Sequence, residues 1–445
     1  MSALVFSHDF VFCFLSSTLF FRLPLLGVLC ASVVNMPVFE DVACTVCGCV
    51  CDDLTVAVQD GRATVVRNGC PLADPWFPAQ TGVRPPVARV GDSAVEVGEA
   101  VGRAAEILGG ARYPLIYGLS RSTTEGQRAA TALADRIGAT IDTTASTGHA
   151  PSLMALQQVG ESTCSLGEVR QRADLVVYWG SDPLVTHPRH RERYAPPRPG
   201  RTTVVVDVRE TASARAADLF VQVEPGRDWE ALWALRLHVA GRPADGRFRD
   251  LAGRMKACWF GIVFFGGGLT RGGPTAHRTV EALLQLVTDL NLHTRFYARR
   301  MRRYGDVAGA DSVLAWQTGY PFGVNLSAGY PRYNPGEFTG PEMLARGEPD
   351  ACLLVGSDTV AGFPPAALEH LRRIPVIAVD SPGTECPVPA AVRLTTAVYG
   401  VHRPGTAYRM DEVPIPLRVL TPTDYPSDGE VLTAILDRLG PGGPA

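Results

Sequence analysis

Compact catalytic signatures are missing from the 445 residues: there is no Gly-x-Ser-x-Gly, no P-loop Gly-x4-Gly-Lys and no His-Glu-x-x-His. No serine-hydrolase elbow, P-loop nucleotidase or zincin is therefore readable from motif. Net charge is also small. Lys+Arg number 42 against 45 Asp+Glu, a balance of -3 at pH 7, so there is no electrostatic footprint for nucleic acid. Eleven cysteines are far below the density of a disulfide scaffold. What is present is ordinary for a globular chain. Hydrophobic residues make up 46% and charged residues 20%, which excludes disordered, collagenous and coiled-coil classes. Gly 45 and Pro 35 suit a loop-rich α/β protein, and the length suits about two or three domains.

Residues 10–34, FVFCFLSSTLFFRLPLLGVLCASVV, are apolar but broken by Arg22 and Pro24. Each half is too short to span a bilayer alone. No Lys or Arg precedes the run, so the basic start of a secretory signal is absent. Residues 1–35 are expected to be an apolar extension from upstream translation, with an interfacial or signal anchor as the other reading. Without them no membrane association is expected, and a cytoplasmic location with free cysteines follows.

The folded part opens on a cysteine cluster. Cys44, Cys47, Cys49 and Cys51 fall within eight residues, and Cys70 follows in NGCPL. The set Cys44-x2-Cys47-x3-Cys51-x18-Cys70 is four thiolates, three on a tight loop and one distant. That pattern suits a cuboidal [4Fe–4S] cluster. Four-cysteine zinc also uses a C-x2-C hook, but the distant cysteine lacks a second pair. Cys49 would crowd either neighbour and is left outside the set. Cys164, Cys258, Cys352 and Cys386 are scattered and read as core or pocket lining.

Apolar strands alternating with helical stretches follow, the pattern of a parallel sheet covered on both faces. Strands are expected over 114–118, 174–183, 201–210, 219–223, 260–268, 350–359 and 374–385. Helices are expected over 125–137, 228–239 and 275–290. An apolar strand ending in Gly-Ser-Asp occurs twice, at Gly180-Ser181-Asp182 and Gly356-Ser357-Asp358. In each case a later strand ends in an acid, Asp207 or Asp380. The two offsets, 176 and 173 residues, are nearly equal, which indicates an internal duplication. Ligands of such sheets bind beyond the carboxyl ends of the strands, where glycine lets backbone N–H groups approach a phosphate. Gly and Asp also make plain turns after strands; the matched repeat favours the binding reading. The expected division is a cysteine domain over 36–85, α/β halves over 86–240 and 241–400, and a C-terminal segment over 401–445. The basic stretch His187-Pro188-Arg189-His190-Arg191 either clamps a pyrophosphate or is a solvated loop. Residues 402–411, HRPGTAYRMD, are placed to reach back over a pocket.

A four-cysteine cluster before two nucleotide-binding halves resembles the molybdopterin oxidoreductases, and within them the B subunit of formylmethanofuran dehydrogenase. CTVCGCVCDDL at 44–54, NGCPL at 68–72, YGLSRSTTEGQ at 117–127, WGSDPLVTHPRH at 179–190, VVDVRETASARAAD at 205–218 and HRPGTAYRMD at 402–411 carry the likeness. The resemblance implies an α/β fold, with a small iron–sulfur domain before two Rossmann-like parallel-sheet halves. It implies a [4Fe–4S] cluster on Cys44, Cys47, Cys51 and Cys70, and molybdenum or tungsten held by two pyranopterin guanine dinucleotides. Gly180, Ser181, Asp182, His187, Asp207 and Arg209 would face one dinucleotide, and Gly356, Ser357 and Asp358 the other. It implies partner A, C and D subunits, with the methanofuran-type cofactor handled by a partner. The family's β-barrel is not visible here, which points to a separate D subunit.

One position departs from the family. Its metal ligand is a cysteine or selenocysteine just before a Glu or His; here Ser122-Thr123-Thr124-Glu125 places Thr124 there, and no Cys lies between Cys70 and Cys164. A thiol ionises near pH ~8.5, whereas a hydroxyl is a poor anionic donor. Some relatives in the wider superfamily use Ser or Asp. The departure resembles the bacterial formyltransferase/hydrolase complex of tetrahydromethanopterin-linked formaldehyde oxidation. The expectation is a scaffold subunit without its own redox step, against an active molybdenum or tungsten enzyme interconverting carbon dioxide and formate.

Overall fold

The computed structural model describes residues 36–273 and 275–440; the expected extension over 1–35 lies outside them. Strands β1 (Val38–Val42), β2 (Leu54–Gln59) and β3 (Arg62–Arg67) form a small antiparallel sheet. The chain then lays down β4 (Ala88–Val90), β5 (Ser93–Ala94), β6 (Pro114–Gly118) and β7 (Thr140–Thr143). It leaves that sheet to build a second one from β8 (Leu175–Trp179), β9 (Thr202–Asp207), β10 (Leu219–Gln222), β11 (Phe260–Phe265) and β12 (Arg295–Arg300). It returns with β13 (Val324–Asn325), β14 (Arg332–Tyr333), β15 (Ala351–Val355), β16 (Val376–Asp380) and β17 (Val392–Thr395). A hairpin of β18 (Gly405–Tyr408) and β19 (Pro414–Leu417) and a helix over Asp428–Arg438 complete it.

The second sheet is five-stranded in the order β10-β9-β8-β11-β12, parallel throughout. The first is nine-stranded, β14-β13-β7-β6-β15-β16-β17-β4-β5, and its middle β7-β6-β15-β16-β17 is also parallel. Read from the other edge, β17-β16-β15-β6-β7 matches β10-β9-β8-β11-β12 strand for strand. The duplication is therefore real as a layout but circularly permuted: in the larger sheet the last two positions come first in sequence. This corrects the consecutive halves at 86–240 and 241–400. Strand β6 pairs with β15, across the expected boundary, and the five-stranded sheet runs through residue 240 unbroken.

The central strands of both sheets read as continuous apolar runs because both faces are covered. On the five-stranded sheet, Leu175, Val177 and Trp179 face the helices Asp228–Val239, Arg249–Ala257 and Ala276–Leu290. Their alternates Val176 and Tyr178 face the cysteine loop with Leu166 and Val169. On the nine-stranded sheet, Ile116, Leu353 and Ile377 pack under the helices Val97–Gly110, Thr124–Ile137 and Asp428–Arg438. The expected C-terminal segment is thus part of that sheet's cover, through Val431, Leu432 and Ile435. Among the described residues no helix is long and apolar enough to cross a membrane.

Candidate functional site

Cys44, Cys47, Cys51 and Cys70 line one cavity, and Cys49 lines it with them. Spacing leaves Cys49 out of the set; the structure turns its thiol inward against Cys47 and Cys51. The loop is a tight knot, in which Cys44 N donates to Cys51 O at 2.7 Å and Val50 N to Cys47 O at 3.1 Å. Gly48 lies where a Cβ would stand 2.4 Å from the Arg302 carbonyl oxygen, so a side chain would lift the loop. Cys70 arrives from the next turn, held by its N–H to Asp74 at 3.1 Å. Burial, then the neighbouring thiols, pushes Cys44 well up. Contact with Cys49, then the charges of Arg193 and Arg189, outweighs burial at Cys51 and brings it to about 7. Among the described residues no three His, Cys, Asp or Glu side chains converge tightly enough to hold one metal ion.

The two Gly-Ser-Asp turns both sit at carboxyl ends of parallel strands, after β8 and after β15. At the second, Gly356 has φ +80°. Ser357 donates from N and from Oγ to Asp380, both at 2.7 Å. Burial pushes the Asp380 carboxyl up to about 6, and its two oxygens serve the turn. Asp358 points instead into a cavity of about 310 Å³. Gly356, Arg121, Ser381, Thr384, Thr396 and Asp428 line it, with Thr45 contributed by the cysteine loop. Arg121 pairs with Asp358 at 3.1 Å and donates to the Val46 carbonyl at 3.3 Å. One guanidinium thus joins the second turn to the cysteine loop.

The first turn is occupied by the protein itself. A Cβ on Gly180 would stand 2.8 Å from Gly268 Cα, so its bare backbone serves loop packing. Asp182 accepts from Ser213 N at 3.1 Å and Ser213 Oγ at 2.5 Å. Ser181 is buried in this packing. His187 corrects the expected nucleotide contact. Its ring is buried, with Nε2 on the Arg302 carbonyl at 2.6 Å and Nδ1 on Thr186 Oγ1 at 2.9 Å. Burial lowers its pKa to about 4, which leaves it a neutral strut. Asp207 is half-buried and accepts from Val208 N at 2.8 Å; Arg209 is exposed. The arginines of the basic stretch lie elsewhere: Arg189 forks onto Asp53 at 2.6 and 2.8 Å.

Thr124 is the first residue of the helix Thr124–Ile137, capped by Thr123, whose side chain accepts from Gly126 N. The Thr124 hydroxyl is buried without a hydrogen-bond partner. Beside it, Ser122 Oγ donates to Asp428, and Gln127 Nε2 donates to Asp306 at 3.0 Å. Burial raises Asp306 to about 8, against the Gln127 amide and the Gly309 and Tyr408 N–H groups that donate to it. Residues 402–411 do reach back: Met410 N donates to Gly48 O at 2.9 Å and Tyr408 N to Asp306 at 2.7 Å. Sequence reasoning missed Arg121, Asp306 and Asp428 as members of this region. Arg121 lay inside a quoted segment, but its partner is 237 residues away. Nothing local marked the two acids.

No family model matches the chain. It is 39% identical over 432 residues to the B subunit of the tungsten-containing formylmethanofuran dehydrogenase 2 of Methanocaldococcus jannaschii, covering 90% of this chain and 98% of that one. The protein of the same name from Methanococcus maripaludis is 37% identical over 91% of this chain and 99% of its own. The B subunit of the formyltransferase/hydrolase complex Fhc of Methylorubrum extorquens is 27% identical over 61% and 74%. Among solved structures, the Methylorubrum extorquens complex FhcABCD with methylofuran superposes at a TM-score of 0.67, 26% identity, over 79% of this chain and 98% of that one. Acetylene hydratase from Pelobacter acetylenicus shares the fold at a TM-score of 0.66 and 12% identity, over 90% and 69%. With 39% identity across nearly the whole of both chains, the protein belongs to the family of formylmethanofuran dehydrogenase B subunits, as one component of a complex of one-carbon metabolism.

Proposed function

We propose that this chain is the B subunit of a formyltransferase/hydrolase type of complex and carries no redox turnover of its own. Thr124 carries the reading. A neutral hydroxyl stands at the head of its helix where the family places a soft anionic donor. Formyl transfer from a tetrahydromethanopterin-type donor to a methanofuran-type acceptor, and hydrolysis to formate, then fall to partner A, C and D subunits. The chain contributes a rigid framework and an ordered cysteine centre. The likeness to FhcABCD over 79% of this chain supports that assembly.

The soft donor set fits an iron–sulfur cluster on Cys44, Cys47, Cys51 and Cys70, acting as a structural staple. The four thiols line one cavity together with Cys49, and this convergence of soft donors carries the fit. For the pterin guanine dinucleotides, the cavity at Arg121, Gly356 and Asp358 offers a cation, a bare backbone turn and a carboxylate, which suit a nucleotide. The first edge offers Asp207 and Arg209, with Asp182 and His187 already engaged. When bound, such a group supplies the electron-transfer chemistry of a molybdenum or tungsten centre.

The decisive experiment is formate release by the purified complex from a formyl donor without any electron acceptor. Viologen-linked carbon dioxide or formate activity that disappears on changing Thr124 refutes the proposal. A second reading rests on the identity of 39% with a tungsten-containing relative. There, a hydroxyl or carboxyl from residues 122–125 would ligate the metal. Elemental analysis separates the two, since this second reading requires stoichiometric tungsten or molybdenum with two pterins.

A further inference from the structure

The basic segment after the first Gly-Ser-Asp turn has no role in the nucleotide reading, and its arginines converge on the cysteine loop. Arg189 lines the same cavity as the five cysteines. It is clamped by Asp53 at 2.6 Å and Glu192 at 2.8 Å. Arg193, one helical turn on, bonds Asp52 at 2.5 Å and Asp53 at 2.9 Å, the two acids directly after Cys51. Tyr194 closes the cluster, with its hydroxyl on the Cys49 carbonyl at 3.3 Å and its ring under Arg193 and Arg409.

The burial of this set is asymmetric. The side chains of Arg189 and Arg193 are 6% and 15% exposed, whereas Asp53, Asp52 and Glu192 are 36%, 40% and 64% exposed. The set holds two cations and three acids, but water screens the exposed acids more than the buried guanidiniums, which therefore weigh more at the sulfurs than the formal count gives. We propose that Arg193, with Arg189 behind it, is a positioning residue that tunes a redox-capable thiolate centre by supplying buried positive charge beside Cys51. This rests on the iron–sulfur reading above and concerns the potential of the cluster itself, not turnover by this chain. A four-thiolate iron–sulfur centre gains negative charge on reduction, so a fixed neighbouring cation favours the reduced form and raises the potential.

The test is an EPR-monitored redox titration of the full chain purified anaerobically in its complex, with iron and acid-labile sulfide measured on the same samples. Arg193→Gln is expected to shift the midpoint potential downward, with iron content kept. Asp52→Asn is expected to shift it upward, because it removes the opposing charge. A purely structural role would not give opposite signs. Both variants within error of the unaltered protein, or both shifted the same way, overturn the inference. If Arg193→Gln loses its iron, Arg193→Lys decides. A Lys variant with iron and a near-normal potential supports charge tuning, and one without iron overturns it. An unaltered protein holding zinc and no iron overturns the cluster reading and this inference together. An intact cluster with an unmoved potential overturns this inference alone.

Discussion

The tripeptide Gly-Ser-Asp occupies equivalent strand ends in two sheets with the same strand order, yet the residues trade jobs. After β15, Ser357 is consumed by Asp380, and Asp358 is left beside Arg121 on a cavity. After β8, Asp182 is consumed by Ser213, and Gly180 is consumed by contact with Gly268. A motif can mark where a ligand could bind, but the neighbouring loops decide which of its atoms are still available.

That contrast can be broken at several points. The largest effect is expected at Gly180. In Gly180→Ala the Cβ meets Gly268 backbone at 2.8 Å and the residue keeps φ +53°, so a loss of about 3 kcal/mol is expected. In Gly356→Ala the Cβ meets Arg121 Cγ at 2.7 Å and Arg121 Cβ at 2.8 Å and the residue keeps φ +80°; the root of that side chain must shift, and about 2 kcal/mol is expected. Urea unfolding of both variants measures the gap; equal losses would erase the distinction between a packed turn and an open one.

Next in size are the acids of the following strands. Asp380→Ala strands the buried Ser357 N–H and hydroxyl and should cost about 2 kcal/mol. Asp207→Ala removes one bond to the adjacent Val208 N–H and should cost about 0.5 kcal/mol. The same chemical denaturation reads both.

A pH dependence sharpens the comparison further. Burial raises Asp380 to about 6 and Asp142, at the end of β7 in the same sheet, to about 7. Unfolded, both titrate near pH ~4. The folded state therefore holds extra protons between those values, and their contribution to stability is lost as pH rises from about 4 to about 7. Asp142→Asn should flatten the upper part of that decline; an unchanged slope would show that the acid is not titrating in its buried site. An effect as small as that of Asp207→Ala is expected at Arg121→Ala. Its ion pair with Asp358 is 23% and 36% exposed, so a loss of about 0.5 kcal/mol is expected after solvent screening. A much larger loss would place Arg121 among the structural supports and remove it from the open cavity.

Most strands were legible because a strand buried on both faces needs apolar side chains at successive positions, as in Leu175–Trp179 and Ala351–Val355. The segment Arg295–Arg300 was missed: it is a strand whose arginines find buried partners, such as Glu161 for Arg300. The cysteine cluster was legible because Cys44, Cys47, Cys49 and Cys51 crowd into one loop. That Cys49 lines the same cavity was not legible, because spacing does not reveal the turn that points its thiol inward.

Taken alone, the sequence determined the apolar strands, the paired Gly-Ser-Asp ends, the thiol-rich loop, the family resemblance and the hydroxyl at Thr124, because each is written in neighbouring residues. Tertiary structure alone decided the permuted sheet order, the retirement of His187 into the core, and the joining of Arg121 to an acid 237 residues away. Strand pairing and hydrogen-bond partners are set by closure of the whole chain, and that closure brings together groups with no local trace of one another.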